Sequence, residues 1–440
     1  MAFLIVLVFI AGYTLIALEH PLKIDKAATA LLTGVFCWLV LVFGVDAMPA
    51  SATIGVDTQP YLRDSLSEHL GNIAEILFFL LGAMTIVELV DVHDGFRVVT
   101  DRIKTTNPVK LLWVISWVAF FLSSVLDNMT TAIIMCALLR KMIRKQEDLW
   151  FLGGFVIIAA NAGGAWSPIG DVTTIMLWIG GQVTTLNIMK NTAFASFICL
   201  LAPLLVATVV MRRKAGTEEA MTKADTQKGN GATAFERSLL FVLGVCGLLF
   251  VPVFKTVTHM PPYMGILLVV GVLWYVTEFL HRDKEPETKH GFSVAAMLRR
   301  IDSPAILFFL GILLAVAALD ASGHLHLMSE LLNRTFAGNI YVINTLIGLL
   351  SAVVDNVPLV AASMGMYEMT EFPPDHDFWN LLAYCAGTGG SILIIGSAAG
   401  VASMGILKVD FLWYMKRISI YAAIGYFAGI AVYYLEHLLF

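Results

Sequence analysis

Three aspartates lie in segments that are otherwise almost wholly apolar: Asp127, Asp171 and Asp355. Two of them open matching pairs, Asp127-Asn128 and Asp355-Asn356, each preceded by a serine at the same spacing, Ser123 and Ser351. The third sits in Asn161-Ala-Gly-Gly-Ala-Trp-Ser-Pro-Ile-Gly-Asp171-Val-Thr173-Thr174, a run of small and hydroxyl residues. Carboxylate, amide, hydroxyl and free backbone carbonyl oxygens are the ligand set of a small hard cation. The residues expected to bind a cation or a proton are Asp127, Asn128, Thr130, Thr131, Asn161, Asp171, Thr173, Thr174, Ser351, Asp355 and Asn356, with Asp127, Asp171 and Asp355 as the direct carboxylate ligands of Na+. A carboxyl in a low-dielectric setting also favours its neutral, protonated form. One site that holds either Na+ or H+, but not both, exchanges the two when its access alternates.

The competing reading makes these aspartates helix N-caps and nothing more. Two Asp-Asn pairs in equivalent places favour ion binding over capping alone, although one residue can do both. The counterpart of Asp171 is Ser397, so the expected site is asymmetric. Glu75, Glu88 and Asp320 read as residues near span ends on solvated faces, and His93, His324 and His326 as surface histidines.

The elements that must position these groups are membrane helices. Of 440 residues, 58% are hydrophobic and 14% charged, and the mean hydropathy is +0.80. That lies outside the range of soluble domains. The apolar blocks are about 20 residues long, the length of a helical crossing, which excludes the shorter alternating strands of a barrel. Spans are predicted near 2–18, 27–45, 72–91, 191–210, 236–254, 263–280, 304–321 and 413–435. The first lacks the basic start and cleavage site of a signal peptide, so it reads as a span. The segments 110–126 with 129–144, and 340–354 with 357–369, are short apolar arms around the two Asp-Asn pairs and read as re-entrant hairpins. The stretches 151–189 and 378–410, interrupted at Gly163-Gly164 to Gly170 and at Gly389-Gly390 to Gly396, read as broken helices.

Lys and Arg collect at 23–26, 97–110, 140–145, 212–237, 282–300 and 408–417, which predicts cytoplasmic loops there. The loops 46–71, 255–262, 322–338 and 370–377 face the other side, and both termini lie with them, periplasmic in a bacterial inner membrane. The hairpins then enter from opposite faces. Ile76-Leu77-Phe78-Phe79-Leu80 recurs as Ile306-Leu307-Phe308-Phe309-Leu310, in register with the Asp-Asn and glycine repeats. The chain is therefore expected to be an all-α polytopic membrane protein of two inverted repeats, each with five spans, one hairpin and one broken helix: 1–211, a flexible cytoplasmic linker 212–235, and 236–440. Five cysteines in apolar stretches read as packing residues. The net charge of −5 carries no basic stripe, which argues against a nucleic-acid partner. No cofactor is expected, and no catalytic residue.

Ser123-Ser-Val-Leu-Asp127-Asn128-Met-Thr130-Thr131, the Asn161–Thr174 run and Ser351-Ala-Val-Val-Asp355-Asn356-Val-Pro resemble the NhaD-type sodium/proton antiporters of the ion transporter superfamily. The resemblance covers essentially the whole chain. It implies exchange of Na+ or Li+ for H+ in a bacterial inner membrane, a role in pH homeostasis, and a homodimer with a scaffold and a moving transport domain. It also implies functional roles for Asp127, Asn128, Asn161, Asp171, Thr173, Thr174, Ser351 and Asn356. Val357-Pro358-Leu359 stands where the first hairpin has Met-Thr-Thr, a departure on the second arm. The alternatives are an anion carrier of the same architecture, for dicarboxylate or arsenite, an intramembrane aspartyl protease, or a receptor. Carboxylates at both tips would repel an anion, a protease would need neither an inverted repeat nor two hairpins, and a receptor would be expected to carry a sizeable soluble domain.

Overall fold

In a computed structural model the chain is a bundle of helices. The described residues are 2–439 apart from 18, 45–57, 104, 106, 215–232 and 283–291, and no strand occurs among them. Helices satisfy their own backbone N–H and C=O groups, as hydrocarbon requires. The first half comprises α1 (Ala2–Ala17), α2 (Lys26–Phe43), α3 (Thr58–Val92), α4 (Pro108–Leu126), α5 (Asn128–Met142), α6 (Gln146–Gly164), α7 (Val172–Ile179) and α8 (Thr185–Lys214). The second comprises α9 (Ala234–Thr258), α10 (Pro262–Leu280), α11 (Ser303–Ala321), α12 (His324–Phe336), α13 (Ile340–Leu350), α14 (Asn356–Met366), α15 (Asp377–Gly389), α16 (Ala398–Leu407), α17 (Phe411–Arg417) and α18 (Ser419–Leu439). Among the described residues 8 helices are long and apolar enough to cross a membrane, and the protein is a multi-pass membrane protein.

Helix starts are written locally. Asp25, Asn107, Asp302 and Asn339 each accept a backbone N–H of the turn that follows, and Thr233 with Glu236 forms a reciprocal capping box. Two apolar cores result. One unites α1–α3, α7 and α9–α14 around Phe79, Trp178, Phe308, Ile312 and Val360. The other unites α4–α6, α8 and α16–α18 around Leu112, Phe155, Leu200, Leu407 and Ile418, and α15 contributes side chains to both. Small residues allow the closest approaches. Gly34 of α2 lies on the backbone of Gly311 in α11, beside the bond from Trp38 Nε1 to Leu314 O at 3.0 Å.

Several expectations are corrected. The loop 46–71 is helical from residue 58 as the start of the 35-residue α3, so Glu75 sits well inside a helix and not at an end. Residues 324–336 of the expected loop 322–338 form α12. The first hairpin arm, α4, has 19 residues and is long enough to cross, where a short arm was expected. The linker 212–235 shortens, because Arg212–Lys214 end α8 and Ala234 begins α9; its glycines at 229 and 231 lie outside the described residues. His93 is fully buried: its Nδ1 donates to Leu89 O at 2.7 Å and its Nε2 lies 2.9 Å from Nε2 of His281, with both rings against Phe292. Hydrophobic periodicity misses this because both ring partners, His281 and Phe292, come from the segment after α10, far away in the chain. Cys246 is exposed on α9, whereas the other four cysteines are buried as expected.

Candidate ion-binding site

Asp171 is the hub of the site, and the break between α6 and α7 puts it there. Gly163 lies against the Phe120 carbonyl of α4, and Gly164 against the backbone of Gly170. Side chains at either glycine would collide, so the two ends of the break can close on each other only as glycines. Pro168 removes a backbone donor within the turn. Asp171 then starts α7 as its N-cap, in a capping box with Thr174.

The carboxylate is 1% exposed and receives only donors. Oδ1 accepts the Thr173 N–H at 2.9 Å and the Thr173 hydroxyl at 2.8 Å. Oδ2 accepts Asn128 Nδ2 at 2.5 Å. Asn356 Nδ2 approaches the two oxygens at 3.3 and 3.4 Å. The two asparagines are the first residues of α5 and α14, so the starts of two helices from distant parts of the chain converge on one aspartate between α6 and α7. Met129 N–H on Asn128 Oδ1, at 2.8 Å, fixes the amide so that its NH2 faces Asp171 and, at 3.0 Å, Asn161 Oδ1. Asn161 in turn donates to Ser391 at 2.9 Å and to Ser397 at 2.8 Å, which ties the first broken helix to the second.

The remaining expected residues have distinct places. Asp127, with φ 125°, bridges α4 and α5; its carboxylate accepts both the Thr130 N–H and the Thr130 hydroxyl at 2.7 Å. Asp355 caps α14 through Val357 N at 3.3 Å. Both tip aspartates lie within electrostatic reach of Asp171 without joining its hydrogen-bonded cluster. Among the described residues no group of three acidic, histidine or cysteine side chains forms a metal cage. Ser351 is a brace: its hydroxyl donates to Ala386 O at 2.8 Å, as that of Ser123 donates to Ala160 O at 2.6 Å in the other half. Thr131 is buried beside the tip, and its hydroxyl has no hydrogen-bond partner. All four segment-starting residues, Asp127, Asp171, Asp355 and Ser397, are N-caps, so the capping role is present.

Ser391 and Ser397 belong to the cluster more closely than Thr130 or Thr131 do, and the equivalence of Ser397 with Asp171 is the signal that marks it. Lys26 and Tyr13, within electrostatic reach of Asp355, carried no such signal. The Lys26 ammonium also stands 4.6 Å from the ring centroid of Phe308.

This arrangement presents an ionisable oxygen pair, two amides that aim their nitrogens at it, and several hydroxyls, all between two packing cores. The sequence model of a family described as Citrate transporter matches residues 13–379. The chain is 47% identical over 431 residues to Sodium/proton antiporter 1 of Arabidopsis thaliana, covering 98% of this chain and 72% of that protein. It is 44% identical to Sodium/proton antiporter 2 of the same plant, covering 98% and 99%. It is 31% identical to the Na(+)/H(+) antiporter NhaD of Vibrio cholerae, covering 98% and 90%.

Proposed function

The chain belongs to the NhaD-type sodium/proton antiporters within the citrate transporter family, and from that premise we propose that it exchanges Na+ or Li+ for H+ by competition at Asp171. The observation that carries this reading is the convergence of Asn128 and Asn356, one from the start of α5 and one from the start of α14, on a buried carboxylate. With only N–H and O–H donors around it, Asp171 is stabilised as an anion by neutral dipoles, and it lacks the cation that would neutralise it permanently. A proton or a desolvated Na+ can each take that place. For Na+, the Asn128 and Asn356 amides turn their carbonyl oxygens inward, Asn128 releasing the Met129 N–H as it does so, and the hydroxyls of Thr173 and Thr174 complete an oxygen shell. Asp127 and Asp355 add negative potential from the tips, and the Thr130 and Thr131 hydroxyls stand beside the first of them. Two inverted repeats, a homodimer, an inner-membrane location and termini opposite the basic loops belong to the same reading.

The family description favours a second reading, transport of a polycarboxylate anion. A citrate-like anion would meet the Asp171 carboxylate, and the side chains hydrogen-bonded to Asp171 include no Lys or Arg to offset that repulsion.

The test uses everted vesicles from cells lacking their own antiporters, an acid interior, and a pH-sensitive dye. Addition of NaCl or LiCl is expected to collapse the gradient with the natural chain and not with Asp171→Asn, a substitution that preserves an N-cap residue. If neither salt changes the signal while the protein is folded and present, or if Asp171→Asn responds fully, competition at Asp171 is wrong and labelled citrate uptake becomes the assay.

A further inference from the structure

Away from Asp171, the starting end of α4 and the final turns of α8 leave a cavity of about 650 Å³ between them. Val109, Val114, Leu205 and Val209 make its walls apolar, and Trp113 braces it by donating from Nε1 to the Thr208 hydroxyl at 2.8 Å. Lys110 and Arg212 also line it. No acidic residue does so among the described residues, and neither cation is ion-paired among them. Lys110 lies in the first turn of α4 and Arg212 near the end of α8, so two positive charges stand at one level, the level of the basic loops, above an apolar cleft. The start of α4 adds the positive end of a helix dipole on the same side.

Hydrocarbon walls below and cations above match an acyl chain below and a phosphodiester above. Water would gain little from such walls, and a lipid without net negative charge would leave the ammonium of Lys110 and the guanidinium of Arg212 under-compensated. We propose that this cleft binds one anionic glycerophospholipid, with an acyl chain between α4 and α8 and its phosphate between Lys110 and Arg212. The inference stands apart from the antiport reading. It places a lipid against the arm whose far end carries Asp127.

The experiment is native mass spectrometry of the full-length chain in detergent, titrated with phosphatidylglycerol or phosphatidylcholine of matched acyl chains. Phosphatidylglycerol is expected to remain bound in preference, and the affinity to fall roughly fivefold for each cation removed in Lys110→Gln and Arg212→Gln. Equal retention of the two lipids, no retention of either, or unchanged phosphatidylglycerol binding by the double variant overturns the proposal. Displacement of the lipid by inorganic phosphate also overturns it, since that describes a soluble-anion site. A second measurement needs neither substitution: phosphatidylglycerol with brominated acyl chains should quench the natural chain more than Trp113→Phe. Equal quenching of the two places the lipid elsewhere and overturns the site.

Discussion

At the scale of single residues, the amides around Asp171 are not equivalent. Asn128 serves three partners, Asp171, Asn161 and Met129 N–H, at 2.5, 3.0 and 2.8 Å, while Asn356 reaches the carboxylate only at 3.3 and 3.4 Å. Asn128→Ala leaves Asp171 short of its nearest donor and strips Asn161 Oδ1 of its partner, both fully buried. Each buried group so orphaned costs about 1–3 kcal/mol. Asn356→Ala removes a longer contact and orphans nothing else. Asn128→Ala is therefore expected to melt at a clearly lower temperature than Asn356→Ala when folded protein is followed by size exclusion after heating in detergent. Equal losses, or the reverse order, would show that the longer contacts carry the carboxylate.

At the scale of elements, α6 meets α4 and α15 meets α13 through the same device. Gly163 of α6 sits on the Phe120 carbonyl of α4, and Gly389 of α15 on the Gly348 carbonyl of α13. A methyl group at either position meets backbone, which cannot rotate away, so Gly163→Ala and Gly389→Ala are expected to destabilise by about 1–3 kcal/mol or more. Gly271 in α10 faces open space, and Gly271→Ala should instead be neutral or stabilising by up to about 1 kcal/mol through helix propensity. Thermal unfolding of the three variants separates crossing glycines from tolerated ones, and a neutral Gly163→Ala would refute the contact. Gly163 and Gly389 were legible in the sequence because they interrupt apolar runs at matching places, as were the helix breaks at Asp127 and Asp355, whose polar residues stand out in apolar surroundings. What sequence patterning could not reach was contact between distant segments. Asn128 and Asn356 are separated from Asp171 by 43 and 185 residues, and no spacing rule says that both amides end on one carboxylate. The buried His93–His281 pair escaped for the same reason, and the helical start of α3 was hidden by its polar composition.

At the scale of the whole molecule, Asp171 stands at the start of α7, which packs in the core of α1–α3 and α9–α14, while its nearest amide, Asn128, belongs to the core of α4–α6. A cation bound between them in the proposed exchange touches both cores, which would tie its arrival and departure to how the cores meet. In the proposed exchange the proton and Na+ compete for one carboxylate, and binding the metal must release the proton. Acidification should then raise the apparent KM for Na+ by about tenfold per pH unit once Asp171 is mainly protonated, with little change in the rate at saturating Na+. Initial rates of dye recovery in proteoliposomes, taken over a grid of Na+ concentration and pH, measure both quantities. Convergence of all curves on one maximal rate supports a shared site. A maximal rate that falls with pH at constant KM would mean that the proton acts at a second place, and would shift attention from Asp171 to Asp127 and Asp355 at the tips.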